Sequence, residues 1–558
     1  MLRKLQAEFN DVIQGIISGS RVSSVYIHAT PGAGKSAIPI IAGELIRAGL
    51  VNKLAWIVPR LTLGYQAETN FIDPFFRDLL NHDLTIRAST NQPNPSRGQD
   101  GFVSTYQAVG LDEKRTISRD FSSKKYVLVA DEFHHCEQNG VWHKAMQPLV
   151  DKAPFSVYMT GTLARGDDQK IAWVPYEEGV KGLAPIMKST ETRAVIRYTR
   201  ADALRERAIL PLTFSLYDGH VEYKDVSGKK VSVDLSESYK ETGAAIYTAL
   251  NTEFADQLLA EGLDHWSKYK LTHPRSKAII VTSDILHARR VLAQVTTWGF
   301  AAKIAVSDDS PSAHRAIKEF KGWSGLDLLV GVGMFYEGFD CKPLSHVIAL
   351  THIRSVPWIE QMVARSVRVD PYGGPYDSQA GYIFAPDDPL FRRAVTHIQK
   401  EQLQFVKEPG EKREKHSNNG EKIPDIIPLG GEVTGHREIS FGVDLGQGPP
   451  SDYAEEEVFT VSDQEGKIRS IIDKHIREYS HSNYYKPQRI NSELKEHFND
   501  KPRADMDLQE LRECLTFIEN YYPLDRRGVI EKKAGISSPR GQGRRVPTKA
   551  QPWQIPMF

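Results

Sequence analysis

The chain has 558 residues. A single hydrophobic core does not usually extend over so many residues, so we expect two to four domains. Its 71 basic and 71 acidic side chains give a formal net charge of zero, which excludes a wholly basic nucleic-acid-binding coat but not a local basic track. The ordinary hydrophobic content, the lack of a long apolar run or signal-peptide pattern, and three scattered cysteines predict a cytoplasmic protein with no membrane partner, disulfide framework or zinc site.

Short apolar runs alternate with amphipathic helical segments in two regions of the chain. Such runs are typical of buried strands, and their alternation with helices predicts parallel sheets built from βαβ units. We therefore predict an α/β protein with two tandem parallel-sheet domains, over residues 1–200 and 201–400. The runs are VYIHAT, LAWIVP, GFVSTY, YVLVADEF and FSVYMTGT in the first region, and KAIIVTS, AAKIAV, LDLLVGV, HVIALT and AGYIFAP in the second. Residues 212–236 alternate like a β-hairpin with a Ser-Gly turn, and we predict a structural insertion there.

The composition changes after residue 400. Residues 401–455 are polar and rich in Gly and Pro, which predicts a linker, and residues 456–524 have apolar positions at helical spacing, which predicts a mainly helical accessory region that could contact protein partners. Residues 525–558 form a basic tail that we expect to be flexible. Near the middle of the helical region, aromatic and cationic side chains are interleaved, either as a nucleic-acid surface or as a solvated helical face: His481, Tyr484, Tyr485, Lys486, Arg489 and Lys495.

A Gly-rich loop at residues 29–36 follows the first apolar run and precedes a helical pattern. Glycines let the backbone turn tightly, so that its N–H groups and the helix N-terminus face phosphate oxygens. We expect Lys35 to reach the β- and γ-phosphates of ATP and the Ser36 hydroxyl to bind Mg²⁺; the alternative is a plain Gly-rich turn. The predicted nucleotide-binding residues are Thr30, Pro31, Gly32, Ala33, Gly34, Lys35 and Ser36.

Two carboxylates, Asp131 and Glu132, end the apolar run YVLVA. At the end of a buried strand, Asp131 would bind Mg²⁺ and Glu132 would orient the attacking water. Two acids after a strand also commonly cap a helix, which is the alternative. The phosphate loop about a hundred residues upstream favours the catalytic interpretation. His134 is a candidate for coupling nucleotide to the neighbouring domain, whereas His135 is the weaker candidate.

The segment Asp131-Glu132-Phe133-His134 resembles the DEAD/DEAH box of superfamily 2 helicases, and further blocks resemble the other motifs of that family in the expected order. The resemblance implies tandem RecA-like domains. It implies adenine recognition by Gln6 and nucleotide contacts by Gly338, Asp340 and Gln361. It also implies coupling of hydrolysis to domain closure by His134, Thr160, Gly161 and Thr162.

The segment from Gln361 to Arg368 resembles the Gln-x-x-Gly-Arg-x-x-Arg motif of the same family, with Ala364 in place of Gly. Placed three residues apart on one helical face, Arg365 and Arg368 would project together. Delivered from the second domain, they would act as arginine fingers on the γ-phosphate. The alternative is an exposed basic helix face.

Within the superfamily, the sequence most resembles the restriction-type and phage-like DNA helicases. It therefore implies an ATP-dependent helicase or translocase that acts on DNA, with backbone contacts from Arg60, Thr105 and Thr351. Three alternatives remain open: a motor subunit of a restriction or defence complex without autonomous unwinding, an RNA helicase, and an ATP-dependent conformational switch. No nuclease motif is recognisable, so cleavage would require a partner.

Overall fold

The computed structural model describes residues 2–89, 92, 94–112, 115–163, 170–179, 182–239, 242–306, 310–322, 325–332, 339–403, 426–440, 460–483 and 485–524. The predicted basic tail 525–558, Gly338 and Tyr484 lie outside these residues, as does most of the predicted linker. The chain divides into two compact units, Met1–Ser462 and Asp463–Phe558. Among the described residues, no helix combines the length and apolar character that a membrane crossing requires.

The first half of the large unit is built on a parallel sheet. Its strands are β1 Ser24–Ala29, β2 Lys53–Val58, β3 Ile86–Ala88, β4 Gly101–Thr105, β5 Tyr126–Asp131 and β6 Phe155–Thr160, then β7 Tyr176–Gly179, β8 Gly182–Pro185 and β9 Arg193–Tyr198. Within the described residues the sheet order is β3-β4-β2-β5-β6-β1-β9, and β7 and β8 form a separate antiparallel pair. β5 is buried along its whole length, as expected for a parallel strand covered on both faces.

Helices cover both faces of this sheet. They are α1 Lys4–Ile17, α2 Ile38–Ala42, α3 Glu44–Arg47, α4 Leu61–Ile72, α5 Pro74–Leu80, α6 Tyr106–Gly110, α7 Thr116–Ser123, α8 Val141–Val150 and α9 Arg200–Arg205. The buried face of α1 carries Leu5, Phe9, Ile13 and Ile16, whose spacing is that of one helical stripe. Each such side chain contributes about 1.5–3 kcal/mol when fully buried. The stripe fixes α1, and with it Arg3 and Gln6, against the sheet.

The second half of the large unit is built on a second sheet. Its strands are β10 Leu212–Lys224, β11 Lys230–Asp234, β12 Lys277–Thr282, β13 Ala302–Ala305, β14 Leu328–Gly331, β15 Leu344–Leu350, β16 Gly381–Pro386 and β17 Ile427–Ser440. Its helices are α10 Thr242–Ala249, α11 Glu253–Thr272, α12 Ile285–Thr297, α13 Ser310–Lys321, α14 Val356–Val363 and α15 Pro389–Leu403. The order β11-β10-β16-β15-β12-β14-β13 is parallel except for β11, and β17 pairs with β10.

The predicted hairpin is present, because β10 and β11 pair antiparallel from His220 to Asp234. The prediction that it is an insertion is wrong. Residues Leu212 to Tyr217 of β10 pair in parallel with β16 and belong to the main sheet. The alternating pattern at the exposed end of β10 hid the almost continuously buried pattern at its start.

The prediction of a linker over residues 401–455 is also wrong in part. α15 continues to Leu403, and β17 pairs with β10 along almost its whole length. The three glycines and one proline within the sequence IPLGGEVTGHREIS suggested a loop. Glycine and proline are tolerated here because β17 pairs with β10 on one side and its side chains are largely exposed.

The small unit is helical, as predicted. It is formed by α16 Val461–Asn483, which begins two residues before the unit boundary, α17 Pro487–His497 and α18 Leu508–Tyr521. Its core contains Ile472, Ile476, Ile490, Leu494, Leu511, Cys514 and Ile518. In the aromatic and cationic segment, the Tyr485 hydroxyl and the Arg489 guanidinium both donate to one carboxylate oxygen of Glu493, at 2.8 and 3.1 Å. Two residues of the predicted surface, Tyr485 and Arg489, are therefore held by the Glu493 carboxylate on α17.

Candidate active site

The phosphate loop connects the end of β1 to a short 3-10 turn that begins at Lys35. The Thr30 N–H donates to the Tyr198 carbonyl at 3.0 Å, which ties the loop to the neighbouring strand β9. Gly32 and Gly34 have φ values of +89° and +86°, in the left-handed region. Glycine is required there because a Cβ atom would strain that backbone. The sequence therefore folds this loop into the shape expected of a phosphate cradle.

Two side chains at the start of α1 contact the phosphate loop directly. The Gln6 amide donates to the Gly34 carbonyl at 3.3 Å and accepts from the Arg3 N–H at 3.0 Å. The Arg3 guanidinium donates to the Gly32 carbonyl at 3.4 Å. The predicted adenine reader is thus positioned against the loop itself, and its contact with adenine stays a prediction.

A buried ion pair joins the phosphate loop to the end of β5. Lys35 Nζ contacts the Glu132 carboxylate, and both side chains are only 13% exposed. Burial by itself would raise the pKa of Glu132, but Lys35 and His134 outweigh it and hold that pKa well below its ordinary range. Burial and the neighbouring Glu132 charge raise the pKa of Asp131. Lys35 and Glu132 lie 97 residues apart in sequence, so the fold brings the two predicted motifs together.

The predicted coupling residues surround the second oxygen of Glu132. The Gly161 N–H donates to Glu132 Oε2 at 3.0 Å, and the Thr160 hydroxyl lies 3.2 Å from the same oxygen. His134 Nδ1 lies 2.7 Å from the Thr160 hydroxyl. The Thr162 N–H donates to that hydroxyl at 3.1 Å. A displacement of Glu132 would therefore break or move the hydrogen bonds that hold the loop after β6.

The donor set fits a divalent cation. A carboxylate and a hydroxyl are the oxygen ligands that Mg²⁺ prefers, and Asp131 and Ser36 supply them beside the phosphate loop. The cluster also holds two carboxylates, Asp131 and Glu132, against the single ammonium of Lys35, and the pKa of Asp131 is raised by burial first and by Glu132 second.

The second domain reaches the phosphate loop through the segment around Arg368. Arg368 Nη1 lies 3.7 Å from the position that a Cβ atom on Gly32 would occupy, and a methyl group of Val367 lies 3.3 Å from it. Arg368 Nε pairs with Asp340 Oδ1 at 3.2 Å. Asp340 in turn accepts from Gln66 of α4 at 3.3 Å, which is a contact between the two halves of the unit. The cleft is therefore composite, with one wall from each sheet.

The expectation that Arg365 and Arg368 share one helical face is wrong. α14 ends at Val363, and the chain continues through turns closed by bonds between residues three apart, such as Ser366 N–H to the Val363 carbonyl. The two arginines therefore lie beyond the end of α14, and they contact the adjacent residues Phe339 and Asp340. Arg365 donates to the Phe339 carbonyl at 3.1 Å and to the Gln361 amide oxygen at 3.1 Å. Arg368 is the one beside the phosphate loop.

The three predicted nucleic-acid contacts have different environments. Arg60 is exposed before α4. Thr105 is part-exposed, and its hydroxyl caps α6 by accepting from the Ala108 N–H at 3.0 Å. Thr351 is fully buried, and its carbonyl accepts from the buried Arg354, so the structure contradicts its predicted exposure to a strand. Thr351 follows a buried strand directly, and the sequence did not reveal how closely the next turn folds back.

Sequence reasoning missed three contributors to this site. Arg3 has no predicted role, yet its guanidinium contacts the phosphate loop. The Tyr106 hydroxyl donates to the backbone carbonyl of Asp131 at 2.8 Å and so helps to fix the end of β5. Ile209 packs against Gly32 from the connection between the two sheets. Only Tyr106, which directly follows the predicted contact Thr105, left a signal in the sequence.

Gly32→Ala is expected to impair the cleft beyond its effect on stability. A Cβ atom at Gly32 would lie 2.9 Å from Ile209 Cγ2. The left-handed backbone should cost about 1–2 kcal/mol of unfolding free energy, and the displaced loop should lower kcat/KM for ATP roughly 10- to 100-fold. The control is Gly49→Ala, because Gly49 has φ +71° with no atom within 4 Å of its Cβ position. Denaturant unfolding and steady-state hydrolysis measure both effects; equal turnover in the two variants would contradict the packing argument.

Residues 1–165 match the family described as Type III restriction enzyme, res subunit. The chain is 26% identical over 427 residues to an uncharacterized protein of Mycobacterium tuberculosis (strain CDC 1551 / Oshkosh), which covers 73% of this chain and 67% of that protein. It is 25% identical over 395 residues to an uncharacterized protein of Mycobacterium leprae, covering 68% and 62%. The chain thus spans about two thirds of these relatives.

Among solved structures, the chain is similar to the ATP-dependent Type ISP restriction-modification enzyme LlaBIII bound to DNA, at 16% identity and TM-score 0.43, over 73% of this chain and 30% of that one. It is also similar to Mycobacterium smegmatis helicase Lhr bound to ssDNA and AMP-PNP, at 12% identity and TM-score 0.45, over 72% and 48%. The family match confirms the predicted resemblance to superfamily 2 for residues 1–165, and the two sheets confirm the predicted α/β fold class.

Proposed function

We propose that this chain is an ATP-dependent motor that couples hydrolysis in the composite cleft to movement along DNA. The observation that carries the proposal is the approach of Arg368, from the second domain, to the phosphate loop. In the same cleft, Lys35 of that loop forms an ion pair with Glu132. A site assembled from two domains depends on their closure, and closure is what a motor converts into displacement. The restriction-enzyme family match of residues 1–165 supports DNA as the track.

Within this cleft each side chain has a distinct role. Lys35 and the loop N–H groups bind the phosphates, while Glu132 orients water and accepts its proton. Arg368 stabilises charge that develops on the γ-phosphate. Ser36 and Asp131 would hold Mg²⁺, which neutralises phosphate charge when bound. Glu132 also accepts a hydrogen bond from the Gly161 N–H. Protonation of Glu132 would weaken this bond, so hydrolysis would change the position of the Thr160–Thr162 loop.

The contact between Gln66 and Asp340 gives closure a second consequence. Asp340 holds Arg368, and Gln66 lies on α4, which begins directly after the exposed Arg60. A cation at that helix would contact the DNA backbone without reading its sequence. Opening and closing of the cleft would therefore move the Arg60 end of α4 relative to the second domain, which provides alternate grips on one strand.

A second candidate is a motor subunit that translocates only within a restriction assembly, and the description of the matched family favours it. Within the described residues, no group of three or more His, Cys, Asp or Glu side chains could hold a metal ion.

Translocation and unwinding are separable by experiment. The purified chain should displace a triplex-forming strand from duplex DNA in an ATP-dependent manner, and forked or tailed substrates should reveal strand separation if it unwinds by itself. Triplex displacement without unwinding would favour the motor-subunit form of the proposal. ATP hydrolysis without triplex displacement and without strand separation would contradict a motor function and favour a conformational switch. Glu132→Gln is the inactive control.

A further inference from the structure

A groove of about 680 Å³ lies between α11 and the strands β10 and β17, and none of its lining residues belongs to the ATP cleft. We call it the β17 groove and define it by Ser215, Tyr217, Glu261, Phe384, His436 and Glu438. Its floor is the part of the second sheet where β17 pairs with β10, and α11 forms the opposite wall. β17 lies in a segment for which sequence reasoning had predicted only a linker.

The floor carries the hydroxyl groups of two largely buried residues. Ser215 and Tyr217 are two residues apart on β10, so their side chains share one face of the sheet. The two residues are only 5% and 7% exposed, and within the described residues no hydrogen bond of either hydroxyl is found. Both hydroxyls line the groove, where each can still donate and accept a hydrogen bond. Two such groups lining one groove point to a ligand that pairs with them.

The walls are acidic. Glu438 lies opposite Ser215 in the antiparallel register, and Glu261 projects from α11. Neither carboxylate has an ion-pair partner among the residues that the structure describes, whereas Asp264 beside them is neutralised by Lys268 at 2.6 Å. Burial, then Glu261 and Glu438, raise the pKa of Tyr217 to about 12. The groove therefore favours a cation.

Aromatic rings also line the groove. The ring of Tyr217 lies 4.7 Å from that of His436 and 6.3 Å from that of Phe384, and it stacks on Phe384 at an interplanar angle of 28°. A planar cation binds well between aromatic faces and carboxylates. Guanidinium is planar, weakly hydrated and carries five donors, so it can stack on the rings and donate to acids and hydroxyl oxygens together. An ammonium group is a compact, strongly hydrated point charge and fits this combination less well.

We propose that the β17 groove binds a guanidinium group through Glu261, Glu438 and the hydroxyls of Ser215 and Tyr217. The group would come from a free small molecule or from an arginine side chain that a partner protein presents. The shared chemistry is one planar cation with donors along its edges. This site is independent of the ATP cleft, and its occupation does not require hydrolysis.

Binding is tested by calorimetry with the full chain and four probes: arginine amide, and acetyl-Gly-X-Gly-amide peptides in which X is Arg, Lys or citrulline. Citrulline keeps the shape of arginine but is uncharged. The Arg probes should bind, and the citrulline peptide should bind roughly tenfold more weakly or worse, because charge-assisted hydrogen bonds are lost. Tighter binding of the Arg peptide than of arginine amide would identify a protein side chain as the ligand; the reverse order would identify a free molecule.

The variant E261Q/E438Q should weaken binding of the Arg probe roughly tenfold or more, and Tyr217→Phe, which removes only a hydroxyl, should weaken it roughly three- to tenfold. Glu222→Gln is the control, since Glu222 lies on β10 outside the groove and pairs with Lys230. ATP hydrolysis, measured on the same preparations, should be unchanged in all of them. Equal binding of the Arg and citrulline peptides, or unchanged affinity in both Tyr217→Phe and the double variant, would overturn the proposal.

Discussion

Glu132→Gln is expected to lower ATP turnover roughly 10²- to 10⁴-fold, the range that a general base contributes, while ATP still binds. Glutamine keeps the shape of the side chain and an oxygen that accepts the Gly161 N–H. It removes the charge that holds Lys35, so the ammonium becomes more available to the phosphates. ATP affinity should consequently be equal to, or higher than, that of the unaltered chain.

A rapid-quench measurement of the hydrolysis step and a titration with a fluorescent ATP analogue give the two quantities separately. Glu191→Gln provides the control, because Glu191 is a largely exposed acid of the same domain that pairs with Arg21 at 2.7 Å. If turnover in Glu132→Gln stayed within a few-fold of the control, the catalytic role of Glu132 would be wrong.

Arg368→Ala is expected to lower kcat roughly 10³- to 10⁵-fold, as loss of an arginine finger does, with a much smaller change in ATP affinity. Arg368 lies beside the loop glycines and is part-exposed within the cleft, where its charge can meet the γ-phosphate. Its pairing with Asp340 orients it without burying it. Removing it therefore leaves the ground-state phosphate cradle in place.

Arg365→Ala is the matched comparison. Arg365 donates to the Phe339 carbonyl and to Gln361, so we expect it to position the segment that carries Arg368. Its loss should lower the unfolding temperature of the chain and reduce kcat less than the loss of Arg368. A larger loss of kcat in Arg365→Ala, without loss of stability, would reverse the assignment of the two arginines.

The sequence predicted those parts of the fold that depend on local pattern. Buried runs such as the one ending at Asp131 are strands, and their order with helices gives a parallel sheet. The same logic identified Lys35 and Glu132, because a loop and a carboxylate at the ends of parallel strands meet at one edge of the sheet. Residue type and spacing suffice where chemistry is concentrated at strand ends.

Features that depend on tertiary packing were not predictable. β17 is a strand because β10 offers it an open edge, and no property of its glycine-rich sequence says so. Arg365 and Arg368 lie beyond α14 because that helix stops at Val363, a boundary that the motif spacing does not mark. The burial of Thr351 depends on how the next turn packs against α15 through Arg354 and Asp388, 2.8 Å apart.

The most direct test of the account is the rate of ATP hydrolysis by the full chain, measured in parallel with single-stranded DNA, duplex DNA, RNA and no nucleic acid. The account predicts a low basal rate, stimulation that is strongest with DNA and weakens as salt is raised, and no stimulated rate in Glu132→Gln or Arg368→Ala. Stimulation by RNA alone would show that the motor moves along RNA and not along DNA. A rate that is the same with and without every nucleic acid would contradict the proposed coupling between the composite cleft and movement.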